Sequence, residues 1–354
     1  MKKKIKKILV AYIILGLLSI SISWKLTLAM MLMLMLMGIS CIIFLKLNDL
    51  YKKTNHWKNR RLFQKNFISN LGYRDNLTRN LDIVNLGSNP AMFGFFYENI
   101  KGQNWSTGSQ GLSMDYEILK YFHSYIRQGG YILIPIMPFT AISQYLKTKT
   151  QYWSDEYYSK FAYILDYYQS LSLPNGKKIL LMNKYPILFN PNLLKYLLHD
   201  SEVDTRLNIS EQTMCDVELE QDAKMWMQNW MKEFDVKSYT EFWDSRFASY
   251  VAEAKTILKD IIDFCEYRDL NPVLITVPMS HYLAGNFTDD FKKNMIYDFI
   301  NGLDTKVLFL DYMFDKKFSD SDLYNGSFFL NLRGRKLFTR EVVNELKKYE
   351  NTTK

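Results

Sequence analysis

The 354-residue chain sets 45 Lys and Arg against 37 Asp and Glu, a formal net charge of +8, and is 48% hydrophobic, enough to build one large domain or two. The charge is unevenly placed: residues 1–65 hold 13 Lys and Arg against one acid, Asp49, and the remainder is mildly acidic. That remainder has no basic stripe, which excludes a nucleic-acid surface. The three cysteines, Cys41, Cys215 and Cys265, fit reduced thiols without requiring them.

In chain order, two nearly uncharged runs come first, Ile8 to Ser23 and Leu26 to Leu45, broken by Trp24-Lys25. The second is long enough to cross a bilayer, and the first reaches the lower limit with Trp24 as its interfacial end. A signal peptide is the competing reading. No small-x-small cleavage site precedes a polar start, and a second apolar run follows at once, which favours retention in the membrane. The sequence thus predicts a basic amino terminus with a two-helix transmembrane hairpin over 1–45 and a basic juxtamembrane linker over 46–79. Lys and Arg flank the hairpin on both sides and only Lys25 lies between the runs, so the positive-inside rule places the soluble part in the cytoplasm of a two-pass cell-membrane protein. If the first run does not cross, the soluble part faces outward.

From Asp82 onward strands and helices alternate. Ile83–Leu86, Tyr131–Pro138, Pro272–Pro278 and Lys306–Asp311 are short apolar runs without polar alternation, as in parallel strands buried on both faces. Between them, Ser113 is expected to cap a helix carrying Leu119, Phe122 and Ile126 that Gly129-Gly130 ends. Ala254, Leu258, Ile261 and Cys265 mark a second helix, and Thr288 caps a third carrying Phe291, Met295 and Phe299, which stops at Gly302. The alternation predicts a doubly wound α/β sheet over 80–350. An aromatic-rich insertion at about 140–234, with Tyr152, Trp153, Tyr157, Tyr158, Phe161, Tyr163, Tyr167 and Tyr168, reads as a lid or small subdomain, and the i, i+4 pair Trp226 and Trp230 as packing, with stacking on sugar rings the alternative.

Phosphate and metal chemistry find little support. Pro174-Asn175-Gly176-Lys177-Lys178 lacks the earlier glycine and the Ser or Thr of a P-loop, and no dinucleotide fingerprint is present. His56, His123, His199 and His281 have no ligand spacing with the cysteines, so neither a metal nor a cofactor is expected. The positive signal is Asp82-Ile83-Val84-Asn85-Leu86-Gly87-Ser88-Asn89-Pro90-Ala91, a strand running into a Gly-Ser turn, which puts Ser88 at the carboxyl edge of the sheet where α/β folds place ligands. Ser88 is a candidate nucleophile; alternatively, the turn binds a ligand through its amides without chemistry. His281, just past the strand ending at Pro278, is the candidate base. Asp311, Asp320 and Asp322 read as caps and turn formers.

The Leu86-Gly87-Ser88 turn, the segment Asn104-Trp105-Ser106-Thr107-Gly108-Ser109-Gln110 and the closing loop from Leu323 to Gly334 together resemble the SGNH or GDSL esterase superfamily, across roughly residues 80–350. The resemblance implies a three-layer α/β/α fold with a mostly parallel, flavodoxin-like sheet. It matches Ser88 to the nucleophile and Gly108 to the oxyanion glycine, with the Ser88 amide as second donor. It also implies an Asp-x-x-His pair before the last helix; here the histidine slot falls on Phe329 and the aspartate slot on Gly326. Gly87, Asn89, Asn104, Gly108, Gln110 and Asn331 are the candidate substrate-binding residues, with Asn104, Gly108 and Asn331 expected to meet Ser88 in one pocket and the Phe329 ring expected to face Ser88. Within the superfamily the chain is similar to the membrane-anchored branch beside acyl-transfer machinery for bacterial surface polysaccharides and teichoic acids. The implied partners are the membrane, a surface glycan or its lipid-linked precursor, and a membrane acyltransferase or polysaccharide assembly protein. Two functions follow. One is a catalytically silent or atypical domain that binds a glycan intermediate or partner enzyme; the other is a serine esterase or O-acyltransferase acting on a surface glycan.

Overall fold

The structure, a computed structural model, describes residues 10, 12–14, 24–57, 78–106, 108, 110–146, 181, 184–201, 212–303 and 305–353. The chain divides into two compact units, Met1–Lys58 with Lys184–Glu202, and Asn59–Asn183 with Val203–Lys354.

The first unit is built on helix α1, Trp24–Tyr51, whose 28 residues have a mean hydropathy of 2.7 over the most apolar window, with none of that window buried. It is long and apolar enough to cross a membrane. The first expected span, Ile8 to Ser23, lies largely outside the described residues, as do the linker from residue 58 to 77 and the aromatic stretch from Tyr152 to Tyr168. Short helical turns over Pro186–Phe189, Pro191–Leu194 and Lys195–Leu198 fold against the carboxyl end of α1. There Tyr51, Ile187 and Leu193 form a small buried cluster. This part of the expected 140–234 insertion groups with helix α1 in the first unit.

The second unit holds a five-stranded parallel sheet. Its strands are β1 (Leu81–Asn85), β2 (Gly102–Asn104), β3 (Ile126–Pro135), β4 (Asn271–Ile275) and β5 (Leu308–Leu310), in the order β2-β1-β3-β4-β5. Every pairing is parallel. The four apolar runs read from the sequence are β1, β3, β4 and β5. Strand β2 escaped because Gly102-Gln103-Asn104 is a three-residue polar edge strand with no hydrophobic run to mark it.

Helix α2 (Leu112–Phe122) starts at Gly111, not at a Ser113 cap, and ends at Phe122. Ile126 already belongs to β3, where it pairs with Leu81. Gly129-Gly130 lies inside that strand: Gly129 has φ +68°, and the register against β1 slips between Leu81 and Ile83, so the glycines absorb an irregularity instead of ending a helix. Helices α3 (Asp216–Glu233) and α4 (Ala248–Tyr267) follow; Ala254, Leu258, Ile261 and Cys265 of α4 are all fully buried, as the periodicity predicts. Thr288 caps the helical stretch 289–301 through Phe291 N at 3.2 Å, and Gly302 closes it. A two-stranded hairpin, β6 (Tyr324–Gly326) with β7 (Phe329–Leu330), precedes the last helix, α5 (Leu332–Thr353).

Candidate functional site

In a parallel sheet all carboxyl ends lie along one edge, and an open crevice forms where successive connections leave a strand in opposite directions. Here the chain leaves β1 toward β2 and returns past it to β3, so the crevice lies between the ends of β1 and β3. A cavity of about 150 Å³ occupies that point. The β1 turn supplies Gly87, Ser88 and Pro90, the segment after β3 supplies Pro135, Met137, Phe139 and Thr140, and Trp230, Glu233 and Phe234 come from α3 and its end. Phe328, at the tip of the β6–β7 hairpin, completes the wall.

The turn that presents Ser88 depends on Gly87. Its φ is +106°, and a Cβ there would meet Pro135 Cγ at 2.9 Å and Ala91 Cβ at 3.0 Å. No other residue type combines that backbone with so close an approach. The Gly87 amide donates to Asp115 Oδ1 at 2.8 Å, and Gln110 Nε2 donates to the same oxygen at 2.6 Å. Asp115 is 2% exposed, and burial raises its carboxyl from the ordinary value to about 7, against the opposing pull of the bonds from Gln110 and Gly87. Burial also raises the Glu233 carboxyl in the same cavity. Gln110 Oε1 is buried without a hydrogen-bond partner, and the Ser88 hydroxyl makes no hydrogen bond among the described residues. Among the described residues, no histidine, lysine or arginine lines the cavity.

The other sequence candidates are distributed differently. Gly87, Ser88 and Gln110 line the cavity, whereas Asn89, Asn104, Gly108 and Asn331 do not. Asn104 is fully buried and its amide is consumed: Nδ2 donates to the carbonyls of Ala91, Met92 and Phe95, and Oδ1 accepts from Asn85 and Ser106. It is a knot beneath the Ser88 turn, with nothing left for a ligand. Asn331 accepts from Gly334 N at 3.0 Å and donates to Asp322 O at 2.7 Å, which fixes the start of α5. It lines a separate cleft with Arg333, Lys336 and Arg340, so the expected convergence with Ser88 is not seen.

His281 opens a short helix, is exposed, and has its ring against Tyr282 at 4.0 Å, away from the cavity lining. The Phe329 ring packs on Phe93 at 4.8 Å and on Trp226 at 5.6 Å; the neighbouring Phe328 is the one that reaches the Ser88 cavity. Trp226 and Trp230 pack together with ring centroids 5.5 Å apart. Asp311 and Asp320 serve as turn formers, binding the amides of Met313 and Asp322.

Sequence reasoning missed Asp115 and Glu233. A signal for the first exists: Leu112, Asp115, Ile118, Leu119 and Phe122 share the buried face of α2, and a carboxylate on such a face needs a reason to be there. No group of three or more His, Cys, Asp or Glu side chains able to hold a metal occurs among the described residues. No family model, curated protein or solved structure matches the chain.

Proposed function

We propose that the chain is a membrane-anchored, SGNH-like protein of bacterial surface-polysaccharide biogenesis whose cavity at the β1/β3 crevice holds a sugar end group without turning it over. The fold part of this reading draws on the strand order, which is that of flavodoxin-like doubly wound sheets. Right-handed crossovers on that order would put α2, α4 and the 289–301 helix on one face and α5 on the other, giving three layers.

The observation that carries the functional reading is the Ser88 hydroxyl, which stands in a cavity without an imidazole and without a hydrogen bond among the described residues. A serine hydroxyl lacking a base is a poor nucleophile near neutral pH. The lining suits binding. Gln110 Oε1 and the Asp115 and Glu233 carboxyls offer acceptors to the hydroxyl or amino groups of a sugar, with Phe139, Trp230, Phe234 and Phe328 as apolar walls for a ring face. A volume near 150 Å³ is of the order that holds a single six-membered ring. With no cation among the described lining residues, a phosphate or carboxylate would meet only the Asp115 and Glu233 carboxyls there.

The second reading, an esterase or O-acyltransferase, is favoured by Asp115. A carboxyl raised to about 7 beside the turn that carries Ser88 is poised as a general base. A fluorophosphonate probe separates the two. On the silent reading the full chain is not labelled, and saturation-transfer NMR detects N-acetylglucosamine, weakened by Gln110→Leu. Labelling that disappears in Ser88→Ala would establish the transferase or esterase instead.

A further inference from the structure

We infer that residues 185–198 form an interfacial membrane element, seated in the lipid headgroup layer beside the carboxyl end of α1. The inference rests on α1 being a span, as the proposed function requires.

Helix length fixes the level. Twenty-eight residues extend about 42 Å at 1.5 Å per residue, against roughly 30 Å of bilayer hydrocarbon. Counted from the interfacial pair Trp24-Lys25, the hydrocarbon ends near Phe44, and the first charge on that side is Lys46. The last two turns of α1 therefore stand in the headgroup zone, and it is there that the 185–198 turns attach. Tyr185 lies against Phe44 with ring centroids 6.1 Å apart, and the Lys184 carbonyl accepts from Asn48 Nδ2 at 2.9 Å and from Lys52 Nζ at 2.8 Å. Tyr51 packs with Ile187 and Leu193, and His56 stacks on Tyr196 at 3.6 Å. Asp200 closes the unit by accepting from the amides of Asn55 and His56.

The segment spends only half of its apolar side chains on this contact. Leu188 is 59% exposed, Phe189 37%, Leu194 36% and Leu198 82%. Four large apolar side chains left outward in so short a stretch mark an interaction surface. Lipid is the occupant that fits, because the surface continues that of α1, where Ile43, Leu45 and Leu50 are also exposed. The flanking chemistry agrees: Lys184 and Lys195 each sit over the ring of the following tyrosine, a pairing of cation and amphipathic ring suited to anionic headgroups.

Site-directed spin labelling of the full chain in bilayers of phosphatidylcholine and phosphatidylglycerol tests this. Cys41→Ser and Cys215→Ser remove the exposed thiols, and buried Cys265 is kept. Labels go singly at Leu188→Cys, Leu194→Cys and Leu198→Cys, with Met33→Cys as the span control and Lys348→Cys as the water control. All five positions are exposed, so folding is preserved. The expected result is that the three test labels are relaxed more by oxygen than by a water-soluble nickel chelate, at a depth between the two controls. Test labels that match the water control, while Met33 reports lipid, overturn the interfacial element and leave the anchor standing. Immobile labels shielded from both relaxants would mean a protein surface covers the patch, which also overturns it. A Met33 label that reports water removes the anchor and the inference together.

Discussion

Two residues, Gly87 and Asp115, hold the candidate site in shape, and each makes a measurable claim. At Gly87 a methyl group would face both a left-handed backbone and contacts of 2.9–3.0 Å with Pro135 and Ala91. Gly87→Ala is expected to cost roughly 2–4 kcal/mol, from backbone strain and overpacking together, seen as a lowered melting temperature of the full chain in detergent. Asp115 makes a claim about pH. Its carboxyl, raised to about 7, keeps a proton in the folded state that the unfolded chain releases near pH 4. This contribution to stability is therefore greatest in acid, declines as pH rises through that window, and levels off above about pH 7. At about 1.4 kcal/mol per pH unit the decline is on the order of 4 kcal/mol. Both bonds to Asp115 end on Oδ1, so Asp115→Asn can keep them with its amide oxygen. Melting temperatures from pH 5 to pH 8 should fall for the native chain and stay nearly level for the variant; parallel curves would refute the buried-acid account. The sequence announced Gly87 and Ser88 because a strand running into Gly-Ser is a local pattern. Asp115 left only the signal of a carboxylate on an apolar helix face, and its role stayed hidden because its partner, the Gly87 amide, lies 28 residues away and only the fold joins them.

At the scale of elements, apolar runs and capping residues carried most of the information. β1, β3, β4 and β5, the α4 stripe and the Thr288 cap were legible because burial on both faces and helix starts leave periodic or point signals. Elements held by tertiary contact were not. β2 is polar and borrows its strand character from β1, and Gly129-Gly130 mimics a helix stop while serving as an irregularity within β3. The β6–β7 hairpin is another such case. It is tied to α3 by Asp222, whose Oδ2 accepts from Ser327 N at 2.7 Å and from Ser327 Oγ at 2.6 Å. The pair of bonds positions Phe328, which walls the cavity and packs on Trp230 at 5.0 Å. Asp222→Ala leaves both Ser327 donors without this partner and is expected to cost about 1–3 kcal/mol. Hydrogen exchange should then show faster turnover over residues 324–330, with the sheet unchanged. Unaltered protection in the hairpin would mean that packing alone holds Phe328.

At the scale of the whole molecule, the proposed membrane anchoring makes the side of the membrane decide which substrate the cavity could meet. Five lysines precede the first apolar run, seven Lys and Arg lie between Lys46 and Lys65, and Lys25 alone lies between the runs. A single crossing by α1 with the amino terminus inside would carry the cluster of seven across the membrane; two crossings keep both clusters in the cytoplasm, as the positive-inside rule favours. The expected outcome is that a carboxyl-terminal green fluorescent protein fusion fluoresces and an alkaline phosphatase fusion stays inactive. If the proposed function holds, the cavity would then face a lipid-linked precursor before export, with an end group still attached to its carrier as ligand. Phosphatase activity would reverse the topology: the chain would cross once, and on the proposed function the cavity would meet finished polymer outside. The two cases differ in more than address. On the proposed function, an inward cavity would meet carrier-bound end groups, whereas an outward one would have to select a terminus from a long chain, and a volume near 150 Å³ is of the order of a single ring in either case. If the proposed glycan binding holds, that size favours chain ends over internal residues, so binding should scale with the concentration of termini and not with polymer mass when short and long glycans are compared.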